Sequence, residues 1–67
     1  MKTRVEVAVD LGLTFHDQED MTITELEQVY NGLYDRLLTY WNGPKSERDW
    51  VVTQLNLVHD TIKARSL

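Results

Sequence analysis

Thr3-Arg4-Val5-Glu6-Val7-Ala8-Val9-Asp10-Leu11-Gly12-Leu13-Thr14-Phe15-His16 is the stretch on which the fold class turns. Val5, Val7, Val9, Leu11, Leu13 and Phe15 are apolar at every second position, and polar or small residues stand between them. A period of two marks a half-buried strand, because successive strand side chains point to opposite faces. The run is long for one strand, and Asp10-Leu11-Gly12 offers a break. A three-residue hairpin loop wants its last residue in the left-handed region, which Gly12 supplies. With that loop Val9 faces Leu13 and Val7 faces Phe15. Glu6 then lies opposite His16 on the other face, as a cross-strand pair. The stretch predicts a β-hairpin with strands at about 4–9 and 13–16; the alternative is one continuous strand that pairs with its copy in a second chain. A two-stranded ribbon is barely stable in water and needs a helix on its apolar face, and its open edges invite pairing.

The next segment supplies that helix. Thr22-Ile23-Thr24-Glu25 has the spacing of a capping box, in which the Thr22 side chain and the Glu25 side chain each accept the other's backbone N–H. Met21 before the cap and Leu26 within the first turns make a hydrophobic staple, and Glu25 and Glu27 suit the positive end of the helix dipole. Asn42-Gly43-Pro44 ends the helix, with a residue that accepts a positive φ followed by one that cannot continue. The predicted helix covers 23–41. Its apolar face reads Leu26, Val29, Tyr30, Leu33, Leu37, Tyr40 and Trp41, widened by Ile23, Tyr34 and Leu38 to roughly half the circumference. So broad a stripe predicts contact with two elements, or with one element and a partner chain. Gly32, at its edge, reads as a tolerated helix glycine costing about 1 kcal/mol relative to Ala; close approach of another backbone is the alternative.

A second helix follows at about 47–64, with Ser46 as its N-cap, Glu47 and Asp49 in the first turn, and Lys63 and Arg65 near its end. The short connection predicts an antiparallel helix hairpin. Val51, Val52, Leu55, Val58 and Ile62 form the main apolar stripe. Trp50, Leu57 and Ala64 recur at spacings of seven, with Thr61 between, on a nearly opposite face. One small monomer can hardly bury both, so the second stripe is a candidate interface, with Trp50 as its candidate hot spot. Between sheet and helix, His16-Asp17-Gln18-Glu19-Asp20 reads as a solvated loop that also favours the helix N-terminus. Its functional reading is an acidic rim of Asp17, Glu19 and Asp20. A calcium loop, with alternating ligands about a central Gly, is absent.

The chain has 67 residues and is read as a single small domain, 1–67, of class α+β: a β-hairpin followed by an antiparallel two-helix hairpin (ββαα), with the helices on one face of the sheet. Chains this short bury only about 60% of their unfolded surface. There is no cysteine, which excludes disulfides and thiolate metal sites. No metal or cofactor is expected, which leaves association into a homo-oligomer, as a dimer, as the usual remedy for a small core. Eleven acids against seven bases give a net charge of −4, which argues against a general nucleic-acid surface and suits a basic surface on another protein. Lys2 and Arg4 precede an alternating stretch rather than an apolar run, unlike a signal peptide. No segment approaches the roughly 18 apolar residues of a membrane span, so a cytoplasmic location is expected.

Chemistry is sparse. Ser46 is assigned to a cap and Ser66 to the terminus. His59 neighbours Asp60, and adjacent helix residues do not face each other. The aromatics are not interleaved with bases as a nucleobase-stacking surface would require. The expected function is a non-enzymatic protein-binding module, such as a small acidic inhibitor that occupies a basic surface of its partner; by size and charge alone it is comparable with phage-encoded inhibitors of host proteins. Trp50 and Leu57, rimmed by Asp17, Glu19 and Asp20, are its candidate partner-binding residues. Clustering of the acids on one face is the condition for such mimicry. Two other readings are a strand-paired, nucleic-acid-binding dimer and a small assembly subunit. The first would turn Arg4, Glu6, Ala8 and Asp10 toward the nucleic acid, setting two acids against a polyanion.

Overall fold

A computed structural model of the chain describes residues 3–13 and 20–66. The elements are three helices, α1 (Arg4–Leu11), α2 (Ile23–Thr39) and α3 (Lys45–Arg65), and there is no strand among the described residues. The fold is all-helical. The expected α+β class, with its hairpin at 4–9 and 13–16 or a single long strand, is therefore corrected. The first strand position is α1. Of the second, Leu13 is described and buried outside any regular element, and 14–16 lie outside the described residues.

The residues of α1 satisfy two periodicities. Read by twos, Val5, Val7, Val9 and Leu11 are a strand face. Read by threes and fours, Val5, Ala8 and Val9 share one helix face. The structure uses the second set: Ala8 is buried, Val5 and Val9 pack against the core, and Val7 and Leu11 are exposed. Both ends of α1 are closed by local chemistry. Thr3 is extended (φ −72°, ψ 164°), and its hydroxyl accepts the Glu6 N–H at 3.2 Å. Gly12 has φ +91°, and its N–H reaches the Ala8 carbonyl at 2.9 Å. Valine lowers helix propensity by at most about 0.7 kcal/mol each. An N-cap returns about 1 kcal/mol, and burial of one face on the other helices exceeds the remainder. Glu6 consequently stands in the first turn of α1, not across a ladder from His16, which is outside the described residues.

α2 opens on the expected capping box. The Thr22 hydroxyl accepts the Glu25 N–H at 3.1 Å, and the Glu25 carboxylate accepts the Thr22 N–H at 3.1 Å. Its other end departs from the expectation. Gly43 has no positive φ; α2 runs down through tight turns in which Trp41 N–H bonds to the Leu38 carbonyl at 3.3 Å and Gly43 N–H to the Tyr40 carbonyl at 2.9 Å. α3 begins directly after Pro44, whose fixed φ suits a helix start, so Ser46 lies inside the first turn and no side chain caps this end.

Contacts between α2 and α3 pair Arg36 with Glu47, Tyr30 with His59 and Met21 with Arg65. Position numbers rise on one side as they fall on the other, so the two helices are antiparallel. Between them lies the core of Leu26, Val29 and Leu33 from α2 and Val51, Leu55 and Val58 from α3, joined by Met21, Ala8 and Leu13. Val52, counted above with the main stripe of α3, is exposed.

α1 lies along one flank of this hairpin, held at each end by a side chain that meets a backbone group. Arg4 Nη1 donates to the Asp20 carbonyl at 3.1 Å, and the Leu13 N–H donates to Gln54 Oε1 at 3.0 Å. Midway, α1 packs on the bare surface of Gly32, where an added Cβ would stand 2.8 Å from Val9 Cγ2. Gly32 is thus a close-approach position rather than a merely tolerated glycine, although the neighbour is a side chain and not a backbone.

Candidate functional site

Two surface features stand out. The first is an open cleft of about 430 Å³ lined by Asp10, Leu11, Arg36, Ser46, Glu47 and Trp50, where the C-terminal ends of α1 and α2 meet the start of α3. Arg36 is its hub. Nη1 donates to the Val9 carbonyl at 2.7 Å and the Asp10 carbonyl at 3.2 Å, placing a cation at the negative end of α1. Nη2 is 3.8 Å from a Glu47 carboxylate oxygen. The guanidinium lies 4.9 Å from the Trp50 ring centre and 5.7 Å from that of Tyr40, within cation–π range. One side chain thereby joins all three helices. Its hydrogen bonds are directed to the protein itself, which makes the cleft a structural joint.

The second feature is the flank of the α2–α3 hairpin opposite α1. Gly32 and Arg36 meet α1 from α2, and Trp50 and Gln54 meet its end from α3. Positions 34 and 52 are each two residues from such contacts, about 200° round their helices. Tyr34 (48% exposed) and Val52 (40%) therefore lie on one outer face, with Leu38 (58%) one turn on from Tyr34 and the exposed Trp41 (58%) just past the end of α2; they are four of the eight large apolar residues that the described residues expose. Arg48 Nη1 donates to the Trp41 carbonyl at 3.1 Å and ties the end of the strip to α3. At the other end Tyr30 stacks on Tyr34, with ring centres 6.5 Å apart, and meets His59 at 6.4 Å. A shallow depression of about 230 Å³ lies there, lined by Glu27, Tyr30, Asn31, His59 and Ile62.

Among the described residues, the sequence candidates Trp50, Leu57 and Asp20 are spread along the length of α3. Trp50 is half-buried: its indole stacks with Arg36, and its Cζ2 lies where a Cβ on Gly12 would come within 3.0 Å. Leu57, farther along the same stripe, is 39% exposed. Asp20 is exposed beside the start of α2, next to Met21, whose carbonyl accepts from Arg65 Nη1. The length of α3 from Trp50 to Arg65 sets Asp20 and Trp50 roughly 22 Å apart. Asp17 and Glu19 lie outside the described residues. His59 Nδ1 and Asp60 Oδ1 are 3.9 Å apart on the surface, beyond hydrogen-bond reach. In the sequence, positions 34, 38 and 41 group with the core face of α2, so the strip is not legible there. Spacings of three and four mark an apolar stripe without saying which edge a neighbour covers. No group of three or more potential metal ligands is present among the described residues, and none of the helices is long and apolar enough to cross a membrane. Comparison with protein-family models, with curated proteins and with solved structures finds no match to this chain.

Proposed function

We propose that the chain is a non-enzymatic protein-binding module whose working surface is the outer face of the α2–α3 hairpin. The observation that carries this reading is the concentration of Tyr34, Leu38, Trp41 and Val52 on the flank that α1 leaves uncovered. Scattered apolar side chains are normal on a surface, whereas a contiguous aromatic and aliphatic strip on a small chain is the usual composition of a docking site. Trp41 fits the hot-spot role better than Trp50, because its indole is available while that of Trp50 is already engaged.

Charge mimicry is a weaker form of the same idea. The described acids are spread over α1 (Glu6, Asp10), the start of α2 (Asp20, Glu25, Glu27), its far side (Asp35) and α3 (Glu47, Asp49, Asp60), so they do not make a single anionic face. The strand-paired nucleic-acid reading loses its element, since Arg4 to Leu11 is helical.

The test is affinity capture from the source cells with three baits: wild type, Leu38→Lys/Trp41→Ala, and Leu57→Lys. The same recovered protein is quantified for each. It should be lost with the first variant and retained with the second. The reverse pattern would move the docking surface to the Trp50–Leu57 stripe, and equal recovery with all three would eliminate both surfaces.

A further inference from the structure

Resting on the reading of the outer face as a docking surface, we propose that its occupant is a second copy of this chain, docked about a two-fold axis parallel to α2 and α3. The two edges of the face carry opposite charge. On the α2 edge stands the exposed acid Glu27, and the one base of α2, Arg36, is turned to α1; Asp35 sits about 100° farther round the helix than Tyr34. On the α3 edge stand Lys45, Arg48 and Lys63; Asp49 and Asp60 sit about 60–80° farther round the helix than Val52.

Such a face is complementary to itself in one orientation. A two-fold axis parallel to the helices lays each α2 on the partner's α3 and preserves height along the axis. Glu27 lies level with Ile62, since both line the same depression, so it would meet the partner's Lys63, and the symmetry makes this contact twice. A two-fold axis across the helices would instead lay α2 on α2, where Glu27 would meet no base. The favoured arrangement is a four-helix layer with antiparallel neighbours, as in common bundles, that encloses Tyr34, Leu38, Trp41 and Val52 and leaves α1 on the outside. Two helices with a common length of about 25 Å and a joint width of about 20 Å present roughly 500 Å² per copy. The sum of about 1,000 Å² sits at the lower bound of specific interfaces. The dimer should therefore depend on concentration.

The experiment is sedimentation at low salt, over a concentration series, on wild type, Leu38→Lys, Glu27→Lys and Lys63→Glu, with folding checked by circular dichroism. All these positions are exposed, so the variants should fold. Wild type is expected to dimerise reversibly and Leu38→Lys to stay monomeric. Glu27→Lys and Lys63→Glu should each weaken association about tenfold, because each creates like-charge contacts at both symmetric positions. An equimolar mixture of the two charge variants should recover wild-type association, because both contacts are then of opposite sign. This recovery requires contact between chains. A wild type that is monomeric throughout would overturn self-docking and leave the outer face as a site for a different protein. A dimer disrupted by Leu38→Lys but without recovery in the mixture would overturn the proposed two-fold arrangement. A dimer indifferent to all the substitutions would overturn self-docking through this face and leave the face as a site for a different protein.

Discussion

Gly32 carries a hydrogen where any other residue would carry a carbon, and that difference sets how closely α1 lies on α2. A Cβ there would stand 2.8 Å from Val9 Cγ2, and valine is stiff at χ1 and cannot swing aside freely. Gly32→Ala gains about 1 kcal/mol of helix propensity against an overpacking cost of about 1–3 kcal/mol. A net loss of about 1 kcal/mol is expected in urea denaturation. In a Val9→Ala background the clash is gone, and the same substitution should stabilise by about 1 kcal/mol. An unchanged sign in the two backgrounds would mean that the contact is not the constraint. Arg36 is the second decisive residue. Arg36→Ala removes two hydrogen bonds from a cation and its contacts with the Trp50 and Tyr40 rings, for an expected loss of about 2–3 kcal/mol. Arg36→Lys should recover less than half, because a point ammonium cannot both reach the two carbonyls and stack flat on an indole. Recovery to wild-type stability would show that only the charge matters. In the sequence Arg36 is simply the one base of a helix. Its role depends on the ends of two other helices arriving beside it, which no local pattern encodes.

α1 is the element with least support of its own. Eight residues are too few for a stable isolated helix, and α1 has one buried side chain, Ala8. Its stability comes from its caps and from the hairpin beneath. Thr3→Ala should cost about 1 kcal/mol, and in native-state hydrogen exchange the α1 amides should exchange well ahead of those near Leu33 and Leu55. Equal protection across the three helices would show that α1 opens only with the whole molecule. The strand expectation for Arg4–Leu11 has a specific physical competitor. Thr3-Arg4-Val5-Glu6 has the same T-x-x-E spacing that identifies the start of α2 at Thr22, and Gly12 is a helix stop as readily as a hairpin residue. The alternation of Val5, Val7, Val9 and Leu11 is the louder signal, and it hides the Val5–Ala8–Val9 stripe within it. α2 and α3 were legible because their stripes are long and fit only the helical period. Their ends fell within about two residues of the expected positions, the usual uncertainty of a fraying terminus, although Gly43 and Ser46 do not close them in the expected manner.

At the scale of the whole molecule, one short helix can cover only one flank of a helix pair. α1 takes the flank of Gly32, Arg36, Trp50 and Gln54, and the opposite flank keeps Tyr34, Leu38, Trp41 and Val52 at the surface. The two tryptophans differ in exposure between these flanks. Trp50 sits on the stripe that looked superfluous and is half-buried against Arg36, while Trp41 sits on the stripe that looked like core and is exposed. The helix pair, the capping box at Thr22 and the Val51–Leu55–Val58 core stripe are legible in the chain alone, because each depends on residues within a few turns of one another. That Arg4–Leu11 is a helix, that Gly32 is a packing site, that Arg36 is a joint and that the apolar surplus lies on the face away from α1 are set by packing across the chain. Each of those follows from which surfaces meet across the chain, and two periodicities that fit the same residues equally well can be separated only by the neighbour that one of them buries.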